Sequence, residues 1–285
     1  MATAAAAAAD ERAEALRARI EARAHKDGAE IGVAFRTLDG RDEVLLVADT
    51  PFHAASTMKA PVLIELYRQV DAGRLSMDDP LPVVNRFASI VDGSPYTLDP
   101  ADDSDKGAIY KAVGGSLPVR ELAEAMITVS SNLATNLLIE KLGVANIQQA
   151  MTALGADGMR VVRGVEDNKA YEKGLINTTT ARALLTLFEA IARAKAASDA
   201  SCGEMIAILR RQQFNEGIPA GVPPGTPVAH KTGQITRIHH DAGIVYAKRP
   251  YVLVVLVKGL DDEKQSAALI ADISRMTFDE YNGAK

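Results

Sequence analysis

The segments of this chain that read as β-strand lie at its two ends, and nearly everything between them reads as helix. Near the start, "EIGVAFRTL" and "EVLLVAD" are joined by Asp39-Gly40, a strong hairpin signal. Near the end, a loop rich in Gly and Pro, "NEGIPAGVPPGTPV", leads into "AHKTGQ", "HDAGIVYA" and "YVLVVLVKGL". Strands so far apart in sequence are most economically combined in one antiparallel sheet that both termini build. Residues 10–27, with Leu16 and Ile20 on one face and Gly28 as a stop, and residues 262–281 predict the helices that cover it. The middle of the chain is helical, as in "PVRELAEAMITVS", "NLATNLLIEKLG" and "TTTARALLTLFEAIARAKA", the last opening on good capping residues. The fold class expected is α/β of the α+β kind, an antiparallel sheet flanked by N- and C-terminal helices beside an all-helical lobe. Residues 1–55 and 212–285 form the discontinuous sheet lobe, residues 56–211 the helical lobe, and the seam between them is where an active site is expected.

At 285 residues the chain can bury a sizeable core. Its formal net charge of −5 supplies no basic face for phosphates, which argues against nucleic acid as a partner. The single cysteine, Cys202, excludes an intrachain disulfide framework and any CxxC metal site. No stretch approaches the roughly 18 uninterrupted apolar residues of a membrane span. The opening "MATAAAAAADERAEALRARI" lacks a basic n-region and meets charge at Asp10, so it makes a poor signal peptide as written.

Three short motifs follow one another in order: Ser56-Thr57-Met58-Lys59, Ser130-Ser131-Asn132 and Lys231-Thr232-Gly233. Each is weak alone, since chance gives about 0.5 SxxK, 0.3 SxN and 0.05 KTG in such a chain. All three together are expected in roughly one chain in a hundred before order and context are counted. Context adds to them: the first opens an apolar helix, the second lies between two helices, and the third begins a strand after the Gly/Pro loop. A cap serine and a lysine reaching to water would explain the first motif alone, but not the set.

SxxK, SxN and KTG are the active-site signature of the class A β-lactamases and their penicillin-binding relatives, which this chain resembles over essentially its whole length. The resemblance extends to "GVED…NTTTARAL", similar to that family's Ω-loop running into its next helix, and to "GIPAGVP…HKTG". It implies a serine hydrolase with Ser56 as the nucleophile. At a helix N-terminus its backbone N–H is unpaired and electropositive, half of an oxyanion hole that Gln234 N–H completes. Lys59, one turn on and sharing a face with Ser56, would act as base once desolvation near Lys231 lowers its pKa. Ser130 would relay a proton to the departing nitrogen, and Asn132 would bind the acyl-side amide and hold Lys59. Lys231, Thr232 and Gly233 would receive the substrate carboxylate, with Arg237 as an extra anchor across the strand.

Departures from the family pattern concentrate in two places. The middle of the second motif is Ser131 rather than Asp. In the Ω-loop the family needs a glutamate that activates water against the acyl-enzyme; Glu166 is the first candidate, with Glu172 and Asp167 as rivals. The asparagine expected four residues later is Ala170. The family's Arg–Asp tie has Arg163 at one end but Asn177 at the other, and the loop is about two residues short.

Other features carry blander expectations. Asp99, Asp102, Asp103 and Asp105 lack EF-hand spacing and read as a solvated acidic loop, with Tyr96 or Tyr110 at the cleft rim. His239 and His240 fall on opposite faces of a strand and make a poor chelating pair. Cys202 and Met58 read as filler. No metal or other cofactor is called for; the partner implied is a small-molecule β-lactam or D-Ala-D-Ala peptide, with no membrane span and a monomer. The resemblance places the protein in the periplasm or outside the cell, while the chain as given leaves the cytoplasm open. β-Lactam hydrolysis leads; a D-Ala-D-Ala carboxypeptidase or esterase of the same fold, and a penicillin- or peptidoglycan-binding module without turnover, are the alternatives.

Overall fold

A computed structural model describes residues 2–283 of the chain. Five strands form one antiparallel sheet in the order β2-β1-β11-β10-β9, with β1 Glu30–Thr37 and β2 Glu43–Leu46 from the start of the chain. β9 Val228–Ile235, β10 Ile238–Val245 and β11 Tyr251–Lys258 come from its end. Both termini therefore meet in the middle of the sheet, where Val33 faces Val255 and Phe35 faces Leu253 across the β1–β11 pair. Three small ribbons pair β3 Phe52–His53 with β8 Thr178–Thr179, β4 Pro80–Pro82 with β7 Ser116–Pro118, and β5 Phe87–Ala88 with β6 Pro95–Tyr96.

The period of two along a strand divides the sheet between two cores. Val33, Phe35, Leu253 and Val255 face outward under the terminal helices α1 Ala2–Asp27 and α9 Glu263–Asn282, against Leu16, Ile20, Leu269 and Ile273. Ala34, Val252, Val254 and Leu256 face inward. β11 is covered on both faces, which is why its sequence is an unbroken apolar run rather than an alternation. The inward residues join a core shared with α2 Lys59–Asp71, α3 Val119–Thr128, α4 Asn132–Leu142, α5 Val144–Ala153, α7 Ala181–Ala192 and α8 Asp199–Leu209. α7 lies directly on β1, β10 and β11, and α6 Asn168–Glu172 is a short helix in the loop before it. Truncating a buried residue such as Leu253 to Ala is worth about 2–5 kcal/mol.

Two local differences from the sequence reading have physical causes. β2 stops at Leu46, short of the run to Asp49, because Val47 takes a left-handed backbone (φ 48°) that ends the pairing. Ser56 is not inside the long helix. It lies in a 3-10 turn, Ala55–Met58, that runs into α2, where Lys59 is the first helical residue. The Thr57 hydroxyl closes that turn by donating to the Ala54 carbonyl at 2.6 Å. Thr180 caps α7 through its side chain, as the threonine run predicts, and the structure adds a second side-chain cap, Ser131 on α4. No helix among the described residues is long and apolar enough to cross a membrane.

Candidate active site

The 3-10 turn carrying Ser56 is pressed against β9. A Cβ built on Gly233 would come within 2.9 Å of Thr57 N and 3.0 Å of Ser56 N, so only glycine lets the strand approach the turn this closely. That approach delivers Lys231 and Thr232 to the side of Ser56. Ser56 itself is half-buried and opens on two connected clefts. One, of about 320 Å³, is bordered by Ser130, Thr232, Gln234, Phe214 and His239. The other, of about 460 Å³, is bordered by Asn132, Glu166, Tyr171, Gln234 and Ile235.

Lys59 and Lys231 are both fully buried, and Ser130 lies between them. Lys59 Nζ donates to the Ser130 carbonyl at 2.6 Å, to Asn132 Oδ1 at 2.8 Å and to Ser130 Oγ at 3.1 Å. Lys231 Nζ donates to Ser130 Oγ at 3.1 Å and to the Thr232 carbonyl at 2.9 Å. A hydroxyl with both lone pairs engaged by ammonium donors keeps its own proton for a third partner, here in the cleft. Ser130 holds this position in a left-handed backbone (φ 58°), a conformation costly for a non-glycine residue and characteristic of functional sites.

Burial pulls the Lys59 pKa down to about 7, against the opposing pull of Asp103, Glu166 and Asp105. Burial, reinforced by the neighbouring Lys59, also holds Lys231 well below the ordinary lysine range. The three acceptors around Lys59 match the three hydrogens of an ammonium group. Engaging Ser56 as a base requires the neutral amine, whose lone pair is then open to the serine proton.

Of the three acids proposed for the Ω-loop, Glu166 is the one bordering the cleft with Ser56. Its Oε1 accepts from Asn132 Nδ2 at 2.7 Å, and burial raises its pKa, with the Asn132 bond opposing. Its left-handed φ of 63° re-aims the chain at this point. Asp167 instead caps α6, accepting from Ala170 N, and takes bonds from Ser89 Oγ and Ile90 N. Glu172 is exposed on α6. Ala170 is buried, and Asn168 borders the cleft beside Glu166.

The loop is closed by two asparagines rather than by an ion pair. Asn177 Oδ1 accepts from Val162 N at 2.8 Å and Arg163 N at 3.3 Å, while its Nδ2 donates to the Arg163 carbonyl at 3.0 Å. The Arg163 guanidinium goes to the carbonyls of Leu175 and Gly164. On α4, Asn136 takes both backbone groups of Val165, accepting from its N–H at 2.7 Å and donating to its carbonyl at 3.0 Å.

Several expectations are corrected. The acidic loop is not solvated throughout: Asp103 (4% exposed) and Asp105 (7%) are buried beneath the Ser-Ser-Asn motif. Arg237 does not border either cleft around Ser56. It sits at the β9–β10 turn, where its guanidinium donates to the Gly259 carbonyl at 2.7 Å and faces Asp261. Tyr96 and Tyr110 lie behind the rim, donating to the Val165 carbonyl at 3.4 Å and to Asp103 at 3.1 Å. The two histidines, by contrast, part to opposite faces as expected: His240 is buried, bonded to the His53 carbonyl and Val257 N, whereas His239 borders the smaller cleft and meets Ser266 Oγ. Sequence reasoning missed Asp103, Asp105, Asn136 and the way Asn177 works. Nothing in "DDSD" separates the first two from a solvated acidic loop, because the exposed and buried positions carry the same polar residue types.

The sequence profile of the beta-lactamase enzyme family matches residues 13–281. The extended-spectrum beta-lactamase PER-1 of Pseudomonas aeruginosa is 24% identical over 264 residues, covering 88% of this chain and 82% of that one. A beta-lactamase of Bacillus licheniformis is 28% identical over 60% of this chain and 58% of its own length. One from Rhodobacter capsulatus is 39% identical, with the match spanning only 28% of its own length. Among solved structures, PBP-A is similar at a TM-score of 0.80 and 29% identity, covering 94% of this chain and 96% of its own. A mutant of PBP-A described as an acyl-enzyme complex with penicillin G superposes at 0.81, also at 29% identity, over 95% and 97% of the two chains.

Proposed function

The chain belongs to the beta-lactamase enzyme family, and from that membership we propose a serine hydrolase that opens β-lactam rings through an acyl-enzyme on Ser56. Neutral Lys59 takes the Ser56 proton as Oγ attacks the lactam carbonyl, forming the C–O bond. The oxyanion accepts from the N–H groups of Ser56 and Gln234. As the C–N bond breaks, Ser130 passes its proton to the nitrogen and is reprotonated from the lysine pair. Thr232 and Lys231 bind the substrate carboxylate, and Asn132 the acyl-side amide. Glu166 then removes a proton from the water that attacks the ester; the ester C–O bond breaks, and that proton returns to Ser56 Oγ as the acid is released.

The observation that carries this reading is Glu166, a carboxylate in the same cleft as Ser56 and joined through Asn132 to Lys59. A second reading, a D-Ala-D-Ala carboxypeptidase or an esterase of the same fold, is favoured by the likeness to PBP-A over almost the full length of both chains. Both substrate classes are met outside the cytoplasm, so the proposal includes a periplasmic or secreted location, checked by fractionating the native host.

Intact mass followed over time with benzylpenicillin tests the choice. The expected result is a wild type that turns over and returns to its free mass, Glu166→Gln that stays acylated, and Ser56→Ala that never labels. A wild type that stays acylated selects the carboxypeptidase reading. No adduct at any time overturns the lactam reading.

A further inference from the structure

The segment 102–105 alternates outward and inward. Asp102 and Ser104 are exposed at the cleft, while Asp103 and Asp105 turn beneath the first turn of α4. Asp103 accepts from Asn132 N at 2.9 and 3.0 Å with its two oxygens, from Leu133 N at 3.0 Å, and from the Tyr110 hydroxyl at 3.1 Å. Asp105 accepts from the Ser131 hydroxyl at 2.8 Å and is itself fixed by the N–H groups of Gly107, Ala108 and Ile109. Two carboxylates thus grip the backbone and side chain of the motif whose flanking members, Ser130 and Asn132, hold Lys59.

We propose that Asp103, with Asp105 behind it, is a positioning residue of the active site, pinning the Ser130-Ser131-Asn132 turn so that its polar atoms converge on Lys59. The proposal rests on the acyl-enzyme reading for its kinetic consequences only; the pinning itself is a property of the free protein. Three features carry it. The carboxylates are buried, where an anion persists only with strong partners. For Asp103 those partners are the Asn132 and Leu133 amides at the N-terminus of α4, the end that favours negative charge, and for Asp105 they are the Ser131 hydroxyl and three loop amides. Finally, Ser130 is held in a backbone conformation that needs outside support, and the bonds to Asn132 N and Ser131 Oγ supply it on the adjoining residues.

The same two carboxylates also set the field at Lys59. The charged groups facing its ammonium are Asp103 and Asp105 from this loop, Glu166 from the Ω-loop and Lys231 from β9. The three acids favour its charged form and Lys231 opposes it. Removing Asp103 and Asp105 therefore does more than loosen the turn: it moves the pH at which Lys59 becomes neutral downward.

The test compares the wild type with Asp103→Asn/Asp105→Asn and with the triple variant Asp103→Asn/Asp105→Asn/Ser131→Asp. Residue 131 is the N-cap of α4, its side chain already accepting from Ala134 N, so a carboxylate placed there meets the same end of the same helix. The exposed Asp99→Asn in the same loop is the control. Two readouts are taken: exchange protection of the Asn132 and Leu133 amides without ligand, and the pH dependence of the acylation rate with benzylpenicillin.

The double variant is expected to lose protection at both amides and to acylate roughly 100-fold more slowly, the scale of a misplaced catalytic group. Its acid limb should shift to lower pH, and the triple variant should recover at least tenfold of the rate. Should the double variant not fold, the triple variant carries the test: a folded, acylating protein supports the proposal and an unfolded one overturns it. Unchanged protection with an unchanged pH profile overturns it as well, as does a folded triple variant with no recovery. A wild type that neither hydrolyses benzylpenicillin nor, as Glu166→Gln, forms an adduct defeats the acyl-enzyme reading while leaving amide protection to decide the pinning.

Discussion

Lys59 and Glu166 sit at the two ends of one carboxamide: Asn132 Oδ1 accepts from Lys59 Nζ at 2.8 Å, and Asn132 Nδ2 donates to Glu166 Oε1 at 2.7 Å. The orientation of the amide follows from its neighbours, because an ammonium only donates and an ionised carboxylate only accepts. The base proposed for acylation and the base proposed for deacylation are therefore held by the same side chain.

Exchanging Asn132 for Asp should separate the two steps. The new carboxylate keeps an acceptor for Lys59 but sets a like charge against Glu166, raising the Glu166 pKa further and taking away its donor. Deacylation is expected to fall on the order of 100-fold, and by more than acylation, so the acyl-enzyme accumulates at neutral pH. Rapid quench with mass detection reads both rates; equal losses in the two would refute the shared-anchor account.

Lys59 ties stability and rate to pH in the same direction. Its folded pKa of about 7 lies below the ordinary 10.5, so between those values the unfolded chain binds more protons than the folded one. Stability is penalised below pH 7 and recovers as pH climbs toward 10.5, and the buried Lys231 adds to that slope. Urea midpoints from pH 6 to 9.5 should rise for the wild type and rise less for Lys59→Met; parallel slopes would place the titration elsewhere. The acylation rate should likewise climb on an acid limb near pH 7, where Lys59 becomes neutral.

The Ω-loop is expected to depend on the neutral amide of Asn177. Restoring the carboxylate of the family pattern, Asn177→Asp, replaces the donor to the Arg163 carbonyl with a repelling oxygen. The expected cost is about 1–3 kcal/mol, the penalty for a buried polar group left without its partner. Melting curves measure it, and faster amide exchange confined to residues 162–177 locates it. A variant as stable as the wild type would mean that the Arg163 guanidinium had turned to the new acid.

What was legible in the sequence was what is local. The hairpin at Asp39-Gly40, the apolar run of β11, the cap at Thr180 and the three motifs each depend on neighbours within a few residues. What was missed joins residues distant in sequence, as Asp103 joins Asn132 and Asn136 joins Val165, each pair 29 apart. An acidic loop and a buried pair of helix-capping carboxylates have the same composition. Arg237 failed for a related reason, because its side of the strand depends on where the β9–β10 hairpin turns, and it turns there. The sequence ranks Glu166 ahead of Asp167 and Glu172, but which of the three acids borders the Ser56 cleft depends on the loop's path.

Gly233 is the residue whose contribution depends on having no side chain. Two of the three neighbours a Cβ would meet, Thr57 N at 2.9 Å and Ser56 N at 3.0 Å, are backbone nitrogens of the Ser56 turn, which cannot swing aside as the third, the Thr57 methyl, could. Gly233→Ala must therefore push β9 and the Ser56 turn apart by a few tenths of an ångström or more. That displacement draws the Gln234 N–H away from the developing oxyanion and Lys231 away from Ser130 together. Acylation by benzylpenicillin is expected to slow roughly 100-fold, because geometry at the reacting centre is lost while the cores on both faces of the sheet remain intact. The melting temperature should accordingly fall by only a few degrees, about the shift a 1 kcal/mol loss produces in a domain of this size. A Gly233→Ala enzyme that acylates at the wild-type rate would show that the closeness of β9 to Ser56 is a matter of packing and not of chemistry.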